Sequence, residues 1–121
     1  MSRIVPPRGG LMHVVDAAGY SLAGLRRLMR ETAARLEVLG FAALAIAFAA
    51  KGATAWQWAG LAGLAAMVLM VEAINTAIEE LTDRISPEWS ETAKHAKDLG
   101  SLAVGLMLTV MAGYALLVLM G

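Results

Sequence analysis

Four polar residues recur at helical spacing near the middle of the chain. They are Glu72, Asn75, Glu79 and Asp83, separated by three, four and four positions. At about 100° per residue these positions form one stripe along a helix. A carboxylate among apolar residues costs roughly 3 kcal/mol in a membrane and usually serves a function. Such carboxylates can accept a proton from a hydroxyl or bind a divalent cation.

Two further polar segments reach the same boundary between apolar and charged sequence. One enters the first long apolar run and the other opens the last. The first segment contains Glu31, Arg35 and Glu37. The second contains Lys94, Lys97, Asp98 and Ser101. In a chain this small we expect these groups to lie close to the stripe. Because carboxylates suit Mg²⁺ and lysines suit phosphates, the pattern predicts a cradle for a metal-bound polyphosphate.

Simpler roles remain open for several of these residues. Charges at a helix end are often only solvated, which applies to Glu80, Asp83, Glu88 and Glu91. Asn75 could serve only to hydrogen-bond one helix to another.

The composition is that of an integral membrane protein. Of the 121 residues 59% are hydrophobic, and the mean hydropathy is +0.64, well above ordinary soluble usage. The net charge is zero and no basic run with interleaved aromatics occurs, so we expect no nucleic-acid partner. Cysteine is absent, which excludes disulfides, thiolate metal sites and cysteine nucleophiles. The first 35 residues contain no early apolar run with a cleavage site, so no removable signal peptide is expected.

The apolar runs and their breaks predict an all-α integral membrane protein. We expect one membrane domain over residues 1–121, with an N-terminal interfacial amphipathic helix and three transmembrane helices. Its parts are a flexible tail at 1–10, the interfacial helix at 11–35, and spans at about 36–53, 56–84 and 91–120. The second span is long enough to extend into the cytoplasm. The alternative for 11–35 is a cytosolic helix packed on the protein itself.

The distribution of Lys and Arg predicts the orientation of the spans. Six of the ten precede the first span, one lies near the connection between the first two spans, and three lie near the connection between the second and third. The positive-inside rule therefore places the N-terminus and the second connection in the cytoplasm. Glu72 follows Trp56 by sixteen residues, about 24 Å along a helix. With Trp56 at the outer membrane interface, this distance puts Glu72 at the inner edge of the hydrocarbon and Glu79 in the cytoplasm.

Three sequence blocks resemble a known family, although no phosphate-binding motif of a soluble fold is present. The blocks are A-A-G-Y-S at 17–21, V-E-A-I-N-T-A-I-E-E-L-T-D-R-I-S at 71–86, and A-K-D-L-G-S-L-A-V-G-L at 96–106. They closely resemble the bacterial integral-membrane diacylglycerol kinases, a family that also contains the undecaprenol kinases. The resemblance runs from about Ala17 to the C-terminus.

The resemblance implies a homotrimer in the bacterial inner membrane, with its active site on the cytoplasmic side. Such a kinase would use ATP and Mg²⁺ to phosphorylate the hydroxyl of diacylglycerol, giving phosphatidic acid. By position, Glu72 matches the catalytic base, and Glu31 and Glu79 match the carboxylates that hold the metal. The residues matched to ATP binding are Tyr20, Glu31, Asn75, Glu79, Glu88, Trp89, Ser90, Lys97 and Asp98. Those matched to lipid-substrate binding are Ala17, Ala18, Gly19, Tyr20, Ser21, Arg35, Leu36, Glu37, Glu72 and Ser101.

The chain departs from the family pattern at several positions. His13 stands where an arginine is usual, Leu22 replaces a tryptophan, Leu36 replaces a glutamine and Ser90 replaces a histidine. These changes fall on expected lipid and nucleotide contacts and leave the base and the metal carboxylates in place.

Three alternatives to a diacylglycerol kinase follow from the same residues. The acceptor could be undecaprenol within the same family. The chain could instead be a small proton-coupled transporter whose membrane glutamate binds cationic substrates. It could also be a non-enzymatic membrane scaffold, although that role gives no reason to place Glu72 in an apolar context.

Overall fold

Four α-helices make up the computed structural model, which describes residues 5–121 and has no strand in that range. They are α1 (Gly10–Leu28), α2 (Thr32–Lys51), α3 (Ala55–Ile85) and α4 (Glu91–Met120). The last three are each long and apolar enough to cross a membrane. The predicted all-helical fold with three spans is confirmed. Of the tail expected at 1–10, residues 1–4 lie outside the described range.

Helix α1 exposes most of its apolar side chains. Leu28 is its buried residue, whereas Leu11, Leu22 and Leu25 are all exposed. Before the helix, the Arg8 guanidinium pairs with Asp16 and lowers the pKa of that carboxyl. An exposed apolar surface is what a helix in the membrane interface requires, and that location stays a prediction.

A break at residues 29–31 divides the segment expected as one helix from 11 to 35. Helix α1 ends at Leu28 and α2 begins at Thr32, so the expected boundary is corrected: residues 32–35 form the first turn of the first span. Glu31 has extended backbone at the N-cap of α2, and its N–H donates to the Leu28 carbonyl at 2.9 Å. No proline or glycine marks this break in the sequence, and for that reason it escaped prediction.

Three residues, Gly52 to Thr54, join α2 to α3. Gly52 ends α2 with a φ of 76°, a left-handed conformation that glycine adopts without steric cost. Thr54 then caps α3 in a reciprocal arrangement with Gln57, in which each side chain accepts a hydrogen bond from the other residue's backbone N–H. This tight turn makes α2 and α3 a hairpin.

The apolar core lies towards the hairpin end of the bundle, where α3 and α4 pack antiparallel and α2 covers them. Its buried members are Phe48, Leu61, Val68, Met111, Ala115 and Val118. The ring of Phe48 meets that of Trp58 edge-on, with centroids 5.8 Å apart. Helix α3 has 31 residues and is therefore about 46 Å long at a rise of roughly 1.5 Å per residue. Because a hydrocarbon core is only about 30 Å thick, one end of α3 must extend beyond it.

Candidate active site

The polar stripe of α3 passes from buried to exposed along the helix. Glu72 is 4% exposed and Asn75 is 8% exposed, whereas Glu79 is half-buried and Asp83 is exposed. The Asn75 amide donates to Glu79 Oε1 at 3.3 Å, and the Thr76 hydroxyl donates to the backbone carbonyl of Glu72 at 2.9 Å. Oxygen Oε2 of Glu72 is buried and has no hydrogen-bond partner among residues 5–121. Buried polar atoms are nearly always paired, so an exception calls for an explanation.

A second carboxyl faces Glu72 from α2. Glu37 is half-buried in the second turn of that helix, and its side chain lies within hydrogen-bonding reach of Glu72. Oxygen Oε2 of Glu37 is also buried without a partner. The structure therefore brings a residue expected at the lipid site next to the expected base.

Helix α4 approaches the stripe through a glycine. Gly100 is buried, and a Cβ at this position would overlap Oδ1 of Asn75. This oxygen is likewise buried without a partner. The adjoining Ser101 lies on the exposed side of α4.

The connection between α3 and α4 forms one wall of a shallow pocket of about 330 Å³. Two ion pairs lie beside it: Lys97 Nζ is 2.5 Å from Asp83 Oδ1, and Lys94 Nζ is 2.6 Å from Asp98 Oδ2. The pocket is lined by Asp83, Ser86, Pro87, Glu88, Trp89, Ser90, Ala93, Lys94, Lys97 and Asp98. Within the connection the Ser86 and Ser90 hydroxyls are 3.1 Å apart, and Ser90 caps α4 by accepting from the Ala93 N–H. The loop therefore has a defined shape.

An arginine joins α1 to α3 across the break at residues 29–31. Arg27 donates from Nη1 to Glu31 at 2.8 Å and from Nε to Glu80 at 2.5 Å. These two carboxylates raise the pKa of Arg27. An apolar groove of about 650 Å³ lies between the same two helices, lined by Ser21, Leu25, Met70 and Thr76 among others.

Comparison with known proteins identifies the family. A family model described as prokaryotic diacylglycerol kinase matches residues 19–119. The chain belongs to the prokaryotic diacylglycerol kinase family. It is 48% identical to a diacylglycerol kinase of Sinorhizobium sp over 111 residues, which cover 92% of this chain and 81% of that relative. It is 37% identical to the diacylglycerol kinase of Pseudomonas aeruginosa, covering 84% of this chain and 83% of the relative. The Escherichia coli K12 diacylglycerol kinase is 34% identical, with 84% of each chain covered.

Membership in the prokaryotic diacylglycerol kinase family confirms the resemblance drawn from the three blocks. Together with the three spans, it identifies a bacterial membrane protein. It gives no support to the transporter and scaffold alternatives.

Several expected site residues lie apart from this polar cluster. Tyr20 is 75% exposed on α1, and Ala17, Ala18 and Gly19 are exposed beside it. Within residues 5–121, no hydrogen bond or ion pair joins this segment to the α3–α4 cluster. Leu36 is 62% exposed on α2. The assignment of these residues to the nucleotide and lipid sites stays a prediction.

Arg35, also expected at the lipid site, forms two hydrogen bonds with residues at the break between α1 and α2. It donates to the Met29 carbonyl at 3.5 Å and to the Thr32 hydroxyl at 3.4 Å. These bonds hold a cation in the first turn of α2, where the Arg35 N–H also donates to the Glu31 carbonyl at 3.1 Å.

Arg27 and Glu80 were not among the site residues predicted from the sequence. Glu80 was interpreted as one of several solvated charges, yet it accepts from Arg27. The spacing of Arg27 and Glu31 at i and i+4 was a usable signal, because residues four apart are neighbours on a helix. The pairing with Glu80 depends on how α1 crosses α3, and local spacing does not contain that information.

Proposed function

We propose that the chain is an ATP- and Mg²⁺-dependent lipid kinase that phosphorylates the hydroxyl of diacylglycerol to give phosphatidic acid. The observation that carries the proposal is Glu72, a buried carboxylate with an unpaired oxygen at the membrane-facing end of a polar stripe. A proton acceptor in this place can reach a lipid hydroxyl, while the phosphate-binding groups lie further along α3 and α4. Family membership supports the same activity.

In the proposed reaction Glu72 takes the proton of the acceptor hydroxyl. The freed electron pair of that oxygen attacks the γ-phosphorus of ATP, and ADP leaves in line with the attack. The Asn75 amide bonds to Glu79 and so orients a second carboxylate next to the base. In phosphoryl transfer the protein acts mainly through positioning and charge stabilisation, which is what this stripe offers.

Glu31 and Glu79 are the proposed metal ligands. Among residues 5–121 no cluster of three or more His, Cys, Asp or Glu side chains is arranged to hold a metal. The carboxylate oxygens of Glu31 and Glu79 are the donor type that suits Mg²⁺, which is usually bound through one or two carboxylates together with substrate phosphates and water. When bound there, the ion would neutralise charge on the ATP phosphates.

The pocket at the α3–α4 connection is the proposed nucleotide site. Lys94 and Lys97 line it. Lys94 pairs with Asp98 one turn further along α4, and Lys97 pairs with Asp83 of α3. A lysine held in this way can exchange its carboxylate for a phosphate oxygen when ATP binds. Trp89 is 79% exposed in the same loop, where its ring could stack on the adenine base.

Assembly and orientation complete the proposal. A homotrimer is supported by the resemblance to the bacterial integral-membrane diacylglycerol kinases. The excess of Lys and Arg before the first span supports a cytoplasmic N-terminus and a cytoplasmic active site in the inner membrane. The apolar groove between α1 and α3 would then lie at the headgroup level, where an acyl chain of the substrate could enter.

The decisive experiment uses the purified protein in lipid vesicles with ATP labelled at the γ-phosphate. Label should appear in phosphatidic acid when diacylglycerol is supplied. Replacing Glu72 by Gln should lower turnover about 10²–10⁴-fold, the usual contribution of a general base. Glu91→Gln is the matched control, because it removes the same charge from a side chain that is 78% exposed at the start of α4.

Two results would count against the proposal. If the wild-type protein labelled no lipid, the proposed kinase activity would be refuted. Near-normal turnover by folded Glu72→Gln would refute the assignment of Glu72 as the base, although the protein would still be a kinase. Supplying undecaprenol in parallel decides the acceptor, because preferential labelling of that lipid would favour the alternative kinase of the same family.

A further inference from the structure

The half-buried Glu37 and the buried Glu72 form a carboxyl pair that the proposed reaction uses only in part. They come from different helices, and their side chains lie within hydrogen-bonding reach of each other. Each has one oxygen buried without a partner. Among residues 5–121, no lysine, arginine or histidine forms an ion pair with either carboxyl.

Two ionised carboxylates cannot lie side by side away from water without a compensating cation. A carboxyl pair in such a place holds one proton between its members, which turns repulsion into a hydrogen bond. The proton has to lie on one of them. If it lay on Glu72, the proposed base could not accept a proton from the substrate.

We propose that Glu37 carries this proton and donates it in a hydrogen bond to the Glu72 carboxylate, so that Glu37 is the positioning residue of the base. The inference rests on the proposed kinase function. A neutral donor beside Glu72 would keep that carboxylate ionised in an apolar setting and fix its orientation towards the substrate. It also explains why the half-buried Glu37 has no cationic partner.

The proton balance of the step is simple. The O–H bond of the acceptor lipid breaks and its proton goes to Glu72. The lipid oxygen forms a bond to the γ-phosphorus, and the bond from that phosphorus to the bridging oxygen breaks as ADP leaves. Glu37 keeps its own proton throughout, and Glu72 later returns the transferred proton to water.

The test compares two neutral replacements of Glu37. Glutamine keeps the shape and an N–H donor, so Glu37→Gln should retain kcat within a few-fold of wild type. Methionine keeps the length but has no donor, so Glu37→Met should lower kcat about 10–100-fold, as expected for losing one hydrogen bond to a charged group. Because the donor acts on the base, the difference between the two variants should appear in kcat and not in the KM for ATP.

An ionised lipid-binding Glu37 predicts the opposite pattern. In that case Glu37→Gln would raise the lipid KM or lose as much activity as Glu37→Met, and either result would overturn the inference. An inactive wild-type protein would refute the proposed function instead, and it would leave the carboxyl pair to be tested by the next measurement.

Infrared spectroscopy of the folded protein without ATP gives that measurement. The wild-type spectrum should contain the C=O band of a protonated carboxyl, which Glu37→Gln removes and the control Glu91→Gln retains. Absence of this band in the wild type would overturn the inference. Because the readout needs no turnover, it holds even if Glu37→Met fails to fold.

Discussion

Two glycines at opposite ends of the α3–α4 packing each lie beneath a polar side chain. At the hairpin end a Cβ on Gly60 would overlap the phenol of Tyr114, whose hydroxyl donates to the Gln57 carbonyl at 2.6 Å. At the other end a Cβ on Gly100 would overlap Asn75, whose Oδ1 has no partner. A glycine beneath a polar side chain therefore occurs at both ends, but the side chain is hydrogen-bonded at the Tyr114 end and has an unpaired oxygen at the Asn75 end.

This difference suggests that one end of the α3–α4 pair mainly stabilises the fold and the other end carries the chemistry. The hairpin end has a packed core of aromatic and aliphatic side chains. The opposite end has one buried and one half-buried carboxyl group, an amide oxygen unpaired among residues 5–121, and surface ion pairs. Unsatisfied buried groups lower stability, so they persist where a ligand or a reaction uses them. Substitutions at the two ends should therefore move different measurements.

Phe48→Ala should give the largest effect on stability. Phe48 is fully buried at the hairpin end, and truncating such a ring costs about 3–5 kcal/mol through lost contacts and a cavity. The free energy of unfolding in detergent should fall by this amount, while the activity of each remaining folded molecule stays the same. Ile46→Ala, at a side chain 72% exposed on the same helix, is the control. A loss of specific activity without a loss of stability would break the comparison.

Alanine at the two glycines tests the contrast directly. Each added methyl should cost about 1–3 kcal/mol by overpacking, but the consequences differ. Gly60→Ala should lower the free energy of unfolding and spare activity, whereas Gly100→Ala should displace Asn75 and lower kcat as well. Gly113→Ala is the control, since nothing lies within 4 Å of a Cβ there. Equal kcat values for the Gly60 and Gly100 variants would contradict the separation.

The ion pair between Arg27 and Glu80 should give the smallest effect. Their side chains are 34% and 56% exposed, and exposed pairs contribute about 0.2–1 kcal/mol. A double-mutant cycle with Arg27→Gln and Glu80→Gln, measured by unfolding, should return a coupling energy in this range. A much larger coupling would mean that this end also supports the fold.

Periodicity alone was enough to predict α3 and its graded stripe. The order of Glu72, Asn75, Glu79 and Asp83 depends only on 3.6 residues per turn and on where the apolar run stops. The Thr54–Gln57 cap was also readable, because a Thr followed three positions later by Gln is a known helix-start pattern. It was not used in predicting the start of the second span.

Features set by contacts between helices could not be predicted in this way. At the break before Thr32, Arg27 bonds both to Glu31 and to Glu80 of α3, while the sequence around it has ordinary helix formers. The meeting of Glu37 with Glu72 depends on how α2 is rotated about its own axis. Periodicity within one helix contains no information about either.

The turn at Gly52–Thr54 has a consequence for how the chain enters the membrane. It leaves little backbone unpaired: the Gly52 and Ala53 N–H groups donate to α2 carbonyls, and the Thr54 and Gln57 N–H groups bond within the cap. Lys51 beside it donates to the carbonyls of Leu119 and Gly121 at the end of α4. Since unpaired backbone groups are what make irregular chain costly in lipid, α2 and α3 are suited to insert together as one helical hairpin, with a single charged side chain at its tip.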